Sequence, residues 1–306
     1  MEEYNILKNK FNEKLLFKLS QIGYALNSTL LFTNRIPDIK DNCIHHLYHL
    51  QDGQSVFISL WGNECGLNLE YLINILKNRK IKLNFYLLDE PNVNSNIISL
   101  LLRYSINIFC QNNNYDHPQV HCMPIGIRDC ENVVPYHKGF SHYSLYNEKN
   151  INVDKNILCL LCFTIGEERY KCYNFFKDKN FVINLMDTDY EKINPPFCGK
   201  VPVDINYSYL HKSYYALCPK GAGEDTHRFW EAIYLNTIPI VKRTNTVFDK
   251  VFDVFPCLII DEWVEITEEF LKDNLEKCTE KMELFHKNYP NAFTDLESIH
   301  ELLLKT

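Results

Sequence analysis

The segment from Ser213 to Arg243, S-Y-Y-A-L-C-P-K-G-A-G-E-D-T-H-R-F-W-E-A-I-Y-L-N-T-I-P-I-V-K-R, leaves few choices of fold. Tyr214 to Cys218 is a short apolar run rich in aromatic residues, which reads as a buried strand. Pro219 ends it, and Lys220-Gly221-Ala222-Gly223 is a flexible basic loop. Glu224, Asp225 and Thr226 offer N-cap chemistry to a helix over His227–Leu235, with Phe229, Trp230, Ile233 and Tyr234 on its apolar side. Ile238 to Val241 is the next buried strand. Strand, glycine loop, helix and strand make one βαβ unit.

Such a unit has an anion-binding end. Glycines let backbone N–H groups approach an anion closely, and the helix N-terminus adds partial positive charge. Lys220, Gly221, Gly223, Thr226, His227 and Arg228 all fall there, and Glu231 lies one turn beyond His227 on the same helix face. The pattern suits a diphosphate at the loop, with a carboxylate further along for a ribose hydroxyl pair. It contains neither G-x-x-x-x-G-K-[ST] nor G-x-G-x-x-G. The same residues also permit a plainer arrangement, with Arg228 and Glu231 paired along the helix and Trp230 in the core.

C-P-K-G-A-G-E-D-T-H-R-F-W-E-A-I-Y-L-N-T-I-P-I-V-K resembles the donor-binding segment of exostosin-type glycosyltransferases, whose pattern runs P-[RK]-G-x-G-x-D-x-H-R-x-W-E-A-L-x-x-G-x-I-P-I-V. The resemblance is strong from Ser213 to Trp263, including the later L-I-I-D-E-W, and elsewhere extends only to general layout. Asn236 stands where that family often has Gly, and both residues tolerate a left-handed helix cap. The resemblance implies an α/β fold of two facing Rossmann-like domains (GT-B type) and a nucleotide-sugar donor, UDP-linked. It also implies donor phosphates at Lys220, His227 and Arg228, and the nucleoside at Glu231.

At 306 residues the chain is long enough for two domains. A net charge of −7 argues against a nucleic-acid-binding surface. The opening Met1-Glu2-Glu3-Tyr4 has no signal-peptide pattern, and no apolar run reaches the ~18 residues of a membrane span, so a cytoplasmic location is expected. Twelve cysteines, several inside apolar strands, read as reduced buried thiols. This includes the C-x-x-C of Cys159 and Cys162. Tyr4 to Ala25 carries helical periodicity, and His45 and His49 share i, i+4 spacing without the Glu of a metalloprotease motif, so they read as packing or surface residues.

Strands at Val56–Leu60, Lys82–Leu88, Ile106–Cys110 and Val120–Met123 alternate with helices at Leu67–Lys77 and Asn96–Tyr104, which predicts a parallel sheet. Ligands bind outside the carboxyl ends of such strands, which selects the loops Trp61–Gly66, Asp89–Asn92 and Pro124–Asp129. Glu131 to Lys155 loses periodicity and reads as a linker. We divide the chain into an acceptor domain over residues 1–145, a donor domain over 146–290 and a C-terminal helix over 291–306 that packs back on the first domain. The second series has a strand at Asn156–Phe163, a helix at Glu167–Asp178 and a strand at Phe181–Met186. Arg169 in that helix either reaches a donor phosphate or is solvated. Asp187-Thr188-Asp189 is a D-x-D, the pattern by which a different glycosyltransferase fold holds Mn²⁺ or Mg²⁺. The first expectation is that no cofactor is needed, with a metal at Asp187 and Asp189 as the alternative.

These readings converge on a glycosyltransferase carrying a sugar from a nucleotide-sugar to a glycan, lipid-linked or protein acceptor hydroxyl. For inversion, Asp89 and Glu90 are the first candidates for the base that deprotonates the acceptor, with Glu64 and Asp129 next. Retention of configuration, a nucleotide-sugar epimerase and a non-catalytic nucleotide-sugar-binding protein are the alternatives.

Overall fold

A computed structural model of the chain describes Phe17, Tyr24, Ser28 and residues 30–32, 44–59, 69–88, 93–128, 142–187 and 201–306. Its first half holds β1 (Leu30–Phe32), β2 (Ser55–Ser59), α1 (Leu69–Arg79), β3 (Leu83–Leu88), α2 (Ser95–Leu101), β4 (Ser105–Cys110) and β5 (Val120–Cys122). Its second half holds α3 (His142–Lys149), β6 (Ile157–Leu161), α4 (Glu167–Phe176), β7 (Val182–Asn184), α5 (Val203–His211), β8 (Ser213–Leu217), α6 (His227–Tyr234), β9 (Ile238–Lys242), α7 (Asp249–Val254), β10 (Leu258–Ile260), α8 (Glu268–Asn288) and α9 (Leu296–Leu303).

The strands form two parallel sheets. The first runs in simple sequence order, β1-β2-β3-β4-β5. The second runs β10-β9-β8-β6-β7, so the chain leaves β6 toward β7 and then returns to add β8, β9 and β10 on β6's other side. That reversal, between β6 and β8, is the place where an open parallel sheet leaves a crevice at its carboxyl edge. Strands β2, β3, β8 and β9 bury almost every position, as strands of parallel sheets covered on both faces do. This is an α/β architecture of two parallel, Rossmann-like sheets, in keeping with the fold class expected from the sequence. Among the described residues, no helix is long and apolar enough to cross a membrane.

The Ser213–Arg243 unit folds as read. Trp230 on α6 is fully buried, edge-on to Phe229 at 4.8 Å and to Phe255 at 4.7 Å. Phe255 meets Phe285 of α8 at 5.5 Å, so aromatic packing ties three elements together. At the amino ends of the strands, Lys155 Nζ donates to the carbonyls of His211 and Ser213 and to Thr237 Oγ1, at 2.9, 2.6 and 3.1 Å. Thr267 caps α8 by accepting from Phe270 N at 3.1 Å. α9 returns to the first sheet, where the His300 ring lies 5.2 Å from Phe109 and Thr306 Oγ1 donates to the Cys122 carbonyl at 3.2 Å.

Several expectations change. The stretch read as a linker contains α3, which packs on α5 of the second sheet and spans the division expected at residue 145. Its side chains reach that sheet's neighbourhood through Glu148–His211 at 3.3 Å and Lys149–Asn236 at 2.7 Å. The helix expected over Tyr4–Ala25 lies outside the described residues except at Phe17 and Tyr24, both buried. Ile44–His49 is a 3₁₀ helix with three residues per turn, so His49 meets His46 at 6.2 Å; the His45 side chain lies outside the described residues. The described cysteines are buried and free, and burial pushes the thiols of Cys159 and Cys162 upward, opposite to what redox chemistry requires.

Asn236 ends α6 in the left-handed region at φ 58°. Asn236→Gly is therefore expected to keep stability near that of the parent, and Asn236→Ala to lose about 1 kcal/mol in urea unfolding.

Candidate active site

The carboxyl ends of the two sheets meet at a cleft enclosing a cavity of about 160 Å³. Gln111 and Asn112 reach it from the turn after β4, and Ile125 and Arg128 from the loop after β5. Phe163, Thr164 and Arg169 reach it from the β6–α4 connection, and residues 221–223, 225–228 and 231 from the glycine loop and α6. The cavity lies at the β6/β8 reversal, where the strand order alone would put a ligand.

Asp225 holds the two sides together. Its buried carboxylate accepts the Ile125 N–H at 2.6 Å from the first sheet and the Trp230 Nε1–H at 2.7 Å from α6. Its own N–H donates to Asn112 Oδ1 at 3.0 Å. Two residues on, His227 Nδ1 lies 2.8 Å from the Gly126 carbonyl. A carbonyl only accepts, so Nδ1 carries the proton, which makes Nε2 the acceptor nitrogen of the neutral ring. Gly126 adopts φ 65°, a conformation that favours glycine, and so turns the loop toward α6. Burial raises the Asp225 carboxyl to about 7, opposed by hydrogen bonds from Ile125, Trp230 and Thr226.

The expected N-cap role of Glu224, Asp225 and Thr226 is only partly realised. Thr226 occupies the cap position at φ −139°, ψ 140°, but its side chain makes no capping bond. Asp225 is drawn to the interface instead, because a buried carboxylate must find donors.

The glycines also work differently from the sequence expectation. The Gly221 N–H donates to the Gly223 carbonyl at 3.0 Å, so it closes the loop on itself. A Cβ on Gly221 would lie 2.5 Å from Arg169 Nη2, and one on Gly223 would run into the Asn112 side chain. Both positions are glycine because another side chain lies directly against the backbone. Arg169 Nε donates to the Lys220 carbonyl and Nη1 to the Thr164 carbonyl, each at 3.2 Å, which lays the guanidinium across the loop into the cleft.

On α6, Arg228 and Glu231 both line the cleft and pair at 3.6 Å. Arg228 Nη2 donates to Asn206 Oδ1 at 2.9 Å, and Glu231 Oε1 accepts from Tyr207 at 3.3 Å. The helical pair and the core tryptophan are thus both present, with Arg228 and Glu231 lining the cleft from almost fully buried positions. Arg128, Arg169, Arg228 and His227 line the cavity with the carboxylates of Asp225 and Glu231, and with the amino end of α6 they make it suited to an anion.

The other sequence candidates fall elsewhere. Lys220 lies on the far side of the glycine loop, with Nζ 3.3 Å from Glu224, in a second hollow lined by Lys242, Arg243 and Trp263. Lys242 and Arg243 pair with Glu262 at 2.7 Å and Asp261 at 3.4 Å. Asp187 accepts from Tyr173 at 2.5 Å and Asn184 at 2.6 Å. Asp189, Asp89, Glu90, Glu64 and Asp129 lie outside the described residues. Among the described residues, no group of three or more His, Cys, Asp or Glu could hold a metal. Sequence reading missed Asn112, Asn206 and Tyr207. It selected the loop carrying Arg128 but not that residue; an arginine at the end of a strand-end loop was the available signal.

Two outcomes follow. Gly223→Ala is expected to destabilise by about 1–3 kcal/mol through overpacking, and the Gly223→Ala/Asn112→Gly double variant to lose less than the sum of the two single changes, because Asn112→Gly relieves the clash but frees the Asp225 N–H. Denaturant unfolding reads both. For Asp225, the folded chain holds its proton more tightly than the unfolded chain does. Its contribution to stability is therefore full below the ordinary carboxylate pKa near ~4 and lost as pH rises through about 7. Asp225→Asn should flatten the dependence of Tm on pH across that window.

No family model and no curated protein matches the chain. Among solved structures, a protein assigned as a UDP-N-acetylglucosamine 2-epimerase from Listeria monocytogenes is 13% identical, with a TM-score of 0.33 over 80% of this chain and 72% of that one. The spinosyn rhamnosyltransferase SpnG is 12% identical, with a TM-score of 0.29 over 82% of this chain and 68% of that one. SpnG complexed with spinosyn aglycone gives 12%, 0.33, 82% and 69% in the same terms. The fold assignment rests on the strand order of the chain itself.

Proposed function

We propose that this chain is a glycosyltransferase of the cytoplasm. It moves a sugar from a nucleotide-sugar, with UDP as the carrier, to a hydroxyl of a glycan, lipid-linked or protein acceptor. The observation that carries the reading is the cationic cavity at the β6/β8 reversal, where Arg169, Arg228, His227 and the amino end of α6 converge. The exostosin-like pattern of Ser213–Trp263 supports the same reading.

In this reaction the acceptor oxygen forms a bond to the anomeric carbon as the bond from that carbon to the diphosphate oxygen breaks. The diphosphate leaves with the electron pair. The guanidiniums and the helix N-terminus stabilise the charge that develops on it, without needing a metal. Glu231, already fixed by Tyr207 and Arg228, is the carboxylate for the nucleoside hydroxyls. We assign the acceptor's proton to Asp89 or Glu90, which follow β3 directly in sequence, with inversion at the sugar carbon.

Calorimetry with UDP, GDP and CMP, with and without Mn²⁺, tests the donor site. UDP is expected to bind in EDTA, and Arg228→Ala to weaken it at least tenfold through loss of a charged hydrogen-bond partner (about 1.5–3 kcal/mol). Binding that requires Mn²⁺ would return Asp187 and Asp189 to the site. In turnover of UDP-sugars over an acceptor panel, Asp89→Asn and Glu90→Gln together should abolish transfer while donor binding persists. Full activity in that double variant would remove the base assignment.

A further inference from the structure

The cleft draws its charge from two directions. Arg169 and Arg228 belong to the second sheet, whereas Arg128 comes from the first, at the end of the loop after β5. That loop is held at two consecutive residues. The Ile125 N–H donates to Asp225 at 2.6 Å, and the Gly126 carbonyl accepts from His227 Nδ1 at 2.8 Å. Gly126 turns at φ 65°, and Ile127 is 1% exposed. Arg128 therefore enters the cleft two residues beyond a doubly anchored point, with a core residue between.

We propose that Arg128 is a phosphate-contacting residue supplied by the first domain, and that Asp225 is the positioning residue that holds it across the cleft from Arg169 and Arg228. This rests on the nucleotide-sugar reading above. A ligand held by the second sheet alone meets two guanidiniums on one wall. A nucleoside diphosphate carries one phosphate more than a monophosphate, and a third guanidinium from the opposite wall offers that phosphate a forked pair of donors. The contact strengthens as the sugar leaves, because charge then accumulates on the terminal phosphate. Asp225 touches no ligand in this scheme. It fixes the loop through Ile125 while its second oxygen is held by Trp230, whose ring is locked against Phe229 and Phe255.

The test is calorimetric binding of UMP, UDP and inorganic pyrophosphate to the full chain and to Arg128→Ala, Arg128→Lys, Asp225→Asn and Asp225→Asn/Arg128→Ala at one fixed ionic strength. Arg128→Ala is expected to weaken UDP and pyrophosphate roughly ten- to a hundredfold and to leave UMP within about twofold. Arg128→Lys keeps the charge but not the fork, so it should fall between, and it carries the test if Arg128→Ala fails to fold. Asp225→Asn should reproduce the selective loss, and the double variant should be no weaker than Arg128→Ala, because the two residues act through one contact. Wild-type diphosphate affinity in Arg128→Ala overturns the proposal and leaves the nucleotide-sugar reading intact. Equal losses for UMP and UDP overturn the selective contact, and additive losses overturn the positioning role of Asp225. A parent chain that binds none of the three probes sinks the nucleotide-sugar reading, and this proposal with it.

Discussion

A carboxylate buried between two sheets is the constraint on which the site depends. Taking Asp225 out of water is costly, and the rise of its pKa to about 7 expresses that cost. What offsets it is a set of donors drawn from different parts of the chain: the backbone of Ile125, the indole of Trp230 and the backbone of Thr226. An apolar side chain could fill the space, but it could not accept from both the first-sheet loop and α6. One group thereby fixes the aromatic core of the second domain, the path of the first domain's loop and the separation of the cleft walls.

The glycine loop shows how a motif can be correctly located and differently used. Its sequence suggests backbone N–H groups turned toward an anion. In the fold, Gly221 spends its N–H on Gly223, and the missing side chains make room for Arg169 on one side and Asn112 on the other. The positive charge of the cleft thus comes from guanidiniums laid against the loop and from the end of α6. The loop is a bearing surface for them. Lys220, the loop's own cation, turns to Glu224 and serves the neighbouring hollow.

Local pattern carried well where one physical rule dominated. Apolar runs gave the strands of both sheets other than β1, and alternation with amphipathic segments gave their parallel sense. Thr267 caps α8 by a local rule, because its side chain and the Phe270 N–H are three residues apart and need no tertiary partner. Asp225 did not read correctly, because a cap and a buried acceptor look alike in sequence. The competition between them is settled by the Ile125 N–H, a hundred residues away along the chain. α3 was missed because its face is set by α5, not by its own weak periodicity.

The sequence by itself determined the α/β class, the βαβ unit at Ser213–Arg243, the buried state of the described cysteines and the strand-end loops from which a site could be built. Those are consequences of short-range periodicity and of the conformational limits of glycine, proline and capping residues, which act within a few positions. Only the tertiary structure decided that β8 returns to the other side of β6, and therefore where the crevice opens. It alone decided that Asn112 and Arg128 reach that crevice, that Asn206 and Tyr207 hold Arg228 and Glu231 in place, and that Lys220 and Asp187 have partners elsewhere. Such pairings depend on which distant donors and acceptors are left unsatisfied once both sheets are packed, and a linear pattern does not encode that quantity locally.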